Sequence, residues 1–224
     1  DIIVLSVGDH DFTTDERIVD TAVKALRDGQ HHYTASIGFQ HLREKLAAYH
    51  SRTNGESVTW ENVAVIPGAQ CGVFTAGLAT LNPGDHVIAF DPMYVTYYGA
   101  LVARGATISQ VPLRPENGFL PDPAELRAAL RPETKAIVVN TPTNPTGTVW
   151  PREVLEDIAD LCKKRDLWLI SDEVYCSMTF EKPHYCPRLI DGMADHTLSV
   201  YSFSKGHAMT GWRLGWIVAD PATV

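Results

Sequence analysis

From Val63 onward, short runs of apolar residues alternate with longer segments in which apolar positions recur every three or four residues. The runs are Val63–Ile66, His86–Phe90, Thr107–Leu113, Ala136–Asn140, Leu167–Ser171, Thr197–Tyr201 and Leu214–Ala219. Each is short and nearly continuous in apolar character, which predicts a strand covered on both faces. Ala69–Leu81, Tyr94–Arg104, Pro123–Leu130 and the amphipathic Arg152–Arg165 predict helices, with Asn82-Pro83-Gly84-Asp85 as a turn. Buried strands separated by helices predict a three-layer α/β/α fold around a mostly parallel, seven-stranded sheet.

Upstream the pattern changes. Leu5–Asp9 reads as extended, and Asp15–Asp28 and Gly38–Arg52 as helices, the second closed by Thr53-Asn54-Gly55 with a residue suited to positive φ. Residues 1–14 are therefore taken as an extended lead-in and 15–224 as one α/β domain. No internal repeat or low-complexity linker interrupts it. The chain starts inside an apolar run and stops at Pro221-Ala222-Thr223-Val224, straight after a strand, so the domain is expected to be C-terminally incomplete.

In parallel sheets ligands collect beyond the carboxyl ends of the strands. The polar punctuation of this chain falls there: Gly68-Ala69-Gln70, Asp91-Pro92, Asn144, Asp172 and Lys205. Composition narrows the partners. The net charge of -8, without a basic cluster, argues against nucleic acid and anionic membranes. No apolar run approaches the ~20 residues that span a bilayer. Asp1-Ile2-Ile3-Val4-Leu5 carries no basic leader, and a cytoplasmic location is expected. Cys71, Cys162, Cys176 and Cys186 form neither a C-x-x-C pair nor a zinc spacing, so they read as free thiols with no metal site. His31-His32 reads as a solvated turn.

Lys205 lies in Ser202-Phe203-Ser204-Lys205-Gly206, just after an apolar run, and Arg213 follows eight residues later. Lysine forms imines with aldehydes when burial or cationic neighbours lower its pKa. Ser202, Ser204 and Arg213 can donate to phosphate oxygens, Arg213 through both arms of its fork. Arg213, between Trp212 and Trp216, equally suits aromatic packing or a surface ion pair. Asp172 follows the fifth run, where a carboxylate is costly to bury unless it meets a cation. A protonated pyridine nitrogen is such a cation; a helix N-cap is the other reading.

Tyr175 and Asn144 offer hydrogen bonds to a phenolic oxygen, although Asn140-Thr141-Pro142-Thr143-Asn144-Pro145-Thr146-Gly147 also suits a plain rigid turn. Pro67-Gly68-Ala69-Gln70 opens a helix whose free amides suit a phosphate, but it is neither G-x-G-x-x-G nor a Walker loop. Tyr94 is placed to stack on a flat ring or to fill the core. Together these groups meet the separate needs of one cofactor, pyridoxal 5′-phosphate (PLP).

On Asn144-Pro145-Thr146-Gly147, Ser171-Asp172-Glu173-Val174-Tyr175 and Ser202-x-Ser204-Lys205 with Arg213, the chain resembles the fold-type I PLP enzymes of the class I/II aminotransferase family, from Gly8 to Val224. The resemblance implies that Lys205 is the Schiff-base lysine, that Asp172 binds the pyridine nitrogen, and that Asn144 and Tyr175 bind the phenolic oxygen. Lys205, Asp172 and Tyr175 would be catalytic. Tyr94 would stack on the ring, and Ala69, Gln70, Ser202, Ser204 and Arg213 would hold the phosphate. Tyr33 matches a tyrosine that reaches the neighbouring subunit's phosphate, which implies a homodimer with shared sites. Gly8 and Asn144 would lie at the substrate. The family also clamps the substrate carboxylate with an arginine in a C-terminal small domain. No arginine here matches it, so this chain is expected to bind PLP while turning over poorly or not at all.

The implied reaction moves an amino group from an L-amino acid to a 2-oxo acid. Gly68-Ala69-Gln70-Cys71, Pro92–Tyr97 and His207–Arg213 are most similar to arginine–pyruvate transaminases, with similar runs in aminotransferases for aspartate, aromatic amino acids and kynurenine. A basic donor and pyruvate as acceptor are expected first. A C–S β-lyase of the same fold and a non-catalytic PLP-binding domain are the alternatives. The acidic charge and the absence of a basic DNA-binding segment speak against the second.

Overall fold

The structure is a computed structural model that describes residues 7–224; residues 1–6 of the expected lead-in lie outside the described residues. In chain order the elements are α1 (Glu16–Arg27), α2 (Gln40–Asn54), β1 (Val63–Ile66), α3 (Ala69–Thr80), β2 (His86–Asp91), α4 (Tyr97–Val102), β3 (Thr107–Pro112), α5 (Pro123–Ala129), β4 (Thr134–Asn140), α6 (Arg152–Arg165), β5 (Trp168–Asp172), β6 (Thr197–Ser202) and β7 (Gly215–Val218). The strands form one sheet in the order β1-β7-β6-β5-β4-β2-β3. β7 runs antiparallel to both neighbours, and the other contacts are parallel.

Strand alternation sorts the side chains into two layers. Val87, Ala89, Ala136, Val138 and Ile170 pack with Val73 and Ala76 of α3 and with Ala100 and Leu101 of α4. Ile88, Phe90, Ile137, Val139 and Leu169 face the other way, against Leu126 of α5 and Leu155, Ile158, Ala159 and Cys162 of α6. These α6 positions are spaced for one helical face and are almost fully buried. Burying each large aliphatic side chain is worth roughly 1.5–3 kcal/mol, so this face and not helix propensity fixes α6 to the sheet. α2 covers the β1–β7 end, with Leu46 and Ala47 against Val63, Trp216 and Val218.

The predicted helices and strands are all present, β1 and α6 with the expected bounds and the others with shifted ends. The largest correction is α4, expected from Tyr94 but starting at Tyr97. Its first turn hangs on Tyr97 N–H to Tyr94 O at 3.1 Å and Ala100 N–H to Thr96 O at 3.1 Å. Residues Pro92–Thr96 therefore stay outside the helix, and Tyr94 sits on the loop beyond β2. Asp15, expected inside α1, instead caps it by accepting from Arg17 N–H at 2.9 Å.

The same register brings the site together. Asn140 ends β4 opposite Asp172, which ends β5, and Asp172 lies opposite Val200 of β6. Ser202 ends β6, so three adjacent strand ends each deliver a polar residue to one edge of the sheet.

Candidate active site

Asp172 forms the floor of the site and is almost fully buried. Its Oδ2 accepts from the Tyr97 hydroxyl, and its Oδ1 accepts from Val174 N–H at 3.1 Å. Asn140 Nδ2 donates to the Asp172 carbonyl at 3.0 Å. No helix follows Asp172, so the N-cap alternative reduces to the single turn bond from Val174. Burial raises this carboxyl to about 6, while the Tyr97 and Val174 bonds pull against it. The Tyr97 phenol is pushed well above its usual value by burial first and by the Asp172 charge second. In the sequence Tyr97 belongs to a predicted helix and to the Pro92–Tyr97 run, with no site role assigned to it. Its spacing of three from Tyr94 was the available signal, since both rings leave one segment and meet edge to face at 5.7 Å.

A candidate anion cradle lies at the start of α3. Gly68 precedes the helix at φ 88° and ψ 157°, a region that essentially only glycine occupies. A Cβ there would lie 2.3 Å from Arg213 Nη2, so the guanidinium crosses the N-terminus of α3. The first amides of a helix have no partner inside it, and its dipole favours an anion. Arg213 Nη1 donates to Thr210 O at 2.7 Å, which fixes the other side of the guanidinium. Ser202 Oγ accepts from Ser204 N–H at 3.0 Å, and Gln70 Oε1 accepts from the Thr96 hydroxyl.

Lys205 Nζ donates to Gly8 O, across 197 residues of sequence. The segment carrying Gly8 is tied down further along. Asp9 Oδ1 accepts from the Thr210 hydroxyl at 2.6 Å, and Trp212 Nε1 donates to Thr14 Oγ1 at 3.1 Å. The Thr210 bond, helped by His10 N–H, holds the Asp9 carboxyl below its ordinary range. Elsewhere in the lining, Asn144 Nδ2 donates to Tyr175 Oη at 3.3 Å. Asn144 is itself held by its N–H to Asn140 Oδ1 at 2.7 Å. Burial raises the Tyr175 phenol, with Asp172 adding to it and Asn144 opposing.

All these groups line one open cleft of about 1350 Å³: Gly8, Ala69, Gln70, Tyr94, Asn144, Asp172, Tyr175, Ser202, Ser204, Lys205 and Arg213. Tyr33 is the exception among the expected site residues. It lies outside the cleft and is fully exposed. Among the described residues no group of three metal-ligating side chains occurs, and no helix is long and apolar enough to cross a membrane.

The donor set fits PLP on its own chemistry. The cleft lining combines a buried carboxylate that has no cationic partner among the described residues, a guanidinium beside a helix N-terminus, and an amine. A mostly parallel sheet with such a set of groups at its carboxyl edge is the setting in which an α/β fold binds a ligand.

The chain belongs to the family Aminotransferase class I and II, which its residues 1–224 match, and that family uses PLP. It is 46% identical over 222 residues to arginine–pyruvate transaminase AruH of Pseudomonas aeruginosa, covering 99% of this chain and 56% of that protein. It is 42% identical over 216 residues to the aspartate/prephenate aminotransferase of Thermus thermophilus, covering 96% and 56%. Among solved structures, Thermus thermophilus aspartate aminotransferase with maleate superposes with a TM-score of 0.94 at 41% identity, covering 98% of this chain and 57% of that one. The aromatic aminotransferase from Pyrococcus horikoshii OT3 gives 0.96 at 36%, covering 100% and 60%. The chain thus spans little more than half the length of the relatives it matches.

Proposed function

We propose that the protein is a PLP-dependent aminotransferase that moves the amino group of a basic L-amino acid, arginine first, to pyruvate. The observation that carries the reading is one cleft holding Lys205, the buried Asp172 carboxylate and the Arg213–Gly68 cradle together. Bound PLP would supply an aldehyde carbon and an electron-accepting ring. Ser202, Ser204, Arg213 and the amides of Ala69 and Gln70 would hold its phosphate. Asp172 would keep the ring nitrogen protonated, Asn144 and Tyr175 would hold the phenolic oxygen, and Tyr94 would cover the ring face.

Lys205 Nζ is then the group placed to take the proton from the substrate Cα and return it elsewhere. Its contact with Gly8 O keeps it beside the segment whose backbone, with Asn144, would meet the substrate carboxylate. Similarity to the arginine–pyruvate transaminase supports the choice of donor. So do Asp9 and Glu181 on the cleft wall, carboxylates of the sign a guanidinium needs. The same reading takes the protein as a cytoplasmic homodimer in which Tyr33 of each protomer reaches the other's phosphate.

The test is turnover by the full-length protein. L-arginine with pyruvate is expected to give L-alanine at least about tenfold faster, in kcat/KM, than L-aspartate with the same acceptor, a difference of about 1.4 kcal/mol in transition-state binding. The Lys205→Ala variant is expected to lose the visible absorbance of the bound cofactor and nearly all turnover. Aspartate matching arginine would reject the donor assignment. Release of pyruvate from cystathionine without any oxo acid would point to a β-lyase.

A further inference from the structure

Glu173 follows Asp172 directly, is fully buried, and takes no part in the chemistry described above. Its Oε2 lies 2.7 Å from His184 Nε2, and its Oε1 accepts from Cys186 Sγ at 3.4 Å. Burial pushes this carboxyl up, but hydrogen bonding and charge from His184, with further hydrogen bonding from Ser199 and Tyr201, outweigh it and hold it below its ordinary range. Glu173 is therefore an acceptor, and His184 Nε2–H is the donor. These partners lie eleven and thirteen residues further along the chain. The carboxylate thus closes a loop at its base.

That loop lines the cleft with Val174, Tyr175, Met178, Phe180, Glu181 and Lys182. It holds itself weakly. Cys176 N–H reaches Glu173 O at 3.0 Å and Met178 N–H reaches Tyr175 O at 2.8 Å. Among the described residues no hydrogen bond holds residues 179–183, and Phe180 is exposed. The loop also touches the lysine segment, since a Cβ on Gly206 would lie 2.9 Å from Ser177 Oγ. We propose that Glu173 is a positioning residue: its buried carboxylate, gripping His184 and Cys186, fixes the 174–183 loop and through it sets Tyr175 and the packing beside Lys205. A closed loop loses less order when a ligand binds, so opening its base weakens binding without removing any group that touches the ligand.

The proposal rests on the PLP reading only in its second measurement. Hydrogen–deuterium exchange on the ligand-free protein comes first. Glu173→Gln keeps the shape but turns one acceptor into a donor, and His184→Ala removes the donor from the other end. Both are expected to speed amide exchange over residues 174–183 by about tenfold or more, with β4 and β6 changed by less than about twofold. His184→Gln, which keeps an N–H donor, is expected to restore most of the protection. In the second measurement, a spectroscopic PLP titration, the first two variants are expected to bind about tenfold more weakly, and His184→Gln close to the parent.

Unchanged exchange in the loop would overturn the proposal, as would equal acceleration in β4 and β6, which marks general loss of stability. A loosened loop with undiminished PLP affinity would overturn the link to Tyr175. A parent protein that binds no PLP would instead reject the cofactor reading, and the exchange data would still decide whether Glu173 closes the loop.

Discussion

Burial holds the Asp172 carboxyl at about 6 in the folded chain, against 3.8 when free. Between these values the unfolded chain has already released the proton that the folded chain keeps. Stability therefore falls as pH rises from about 4 to about 6 and stays lower above that, by about 3 kcal/mol for a shift of this size. Asp172→Asn removes the charge and keeps an oxygen acceptor for Tyr97 or Val174. In ligand-free protein the variant is expected to match the parent's stability near pH 4 and to exceed it by about 3 kcal/mol above pH 6, while its PLP affinity falls. Urea unfolding at pH 4.5 and 7.5 measures this; a gain that is the same at both values would show that Asp172 bears no such cost. A gain in stability above pH 6 paired with a loss of PLP affinity would mark Asp172 as a residue kept for its ligand.

At the scale of elements, the sharpest constraint is the junction of β1 and α3. Gly68 sits where a side chain would be strained at about 1–3 kcal/mol, and its Cβ would collide with Arg213. Gly68→Ala is expected to lower stability by that amount and to weaken PLP by about tenfold or more, because the guanidinium must leave the α3 N-terminus. Thermal unfolding and PLP titration read the two effects separately; full affinity in a folded variant would remove Arg213 and α3 from the cradle. This junction was legible in the sequence, since Pro67-Gly68 interrupts an apolar run just before a helix. Strand and helix identities were legible too, through the length and period of each apolar run. The reversed direction of β7 was not. Its apolar run, Leu214–Ala219, looks like the others, and direction is decided by the return of the chain through residues 203–214. Tyr97 and Glu173 were missed for a related reason. A tyrosine inside an apolar helix and a glutamate beside a motif aspartate carry no pattern of their own, and only the packing of α4 and of the 174–186 segment shows what they touch.

For the molecule as a whole, Tyr33 separates two pictures. It is fully exposed and contributes nothing to the cleft of its own chain. In the proposed homodimer it completes the site of the other protomer, because a two-fold axis makes each contact mutual. Two defective proteins then make a working pair. A Tyr33→Ala chain keeps Lys205 but offers its partner no tyrosine; a Lys205→Ala chain offers the tyrosine but lacks the lysine. Their mixed dimer contains one site with both groups intact and one with neither. After random exchange of equal amounts about half the dimers are mixed, so about a quarter of all sites regain tight covalent PLP binding. Borohydride reduction followed by mass spectrometry counts them, and the titration of each parent alone sets the baseline. A mixture that only averages the two parents, in protein shown by sedimentation to be dimeric and exchanged, would confine Tyr33 to its own chain and leave the phosphate to Arg213, the two serines and α3.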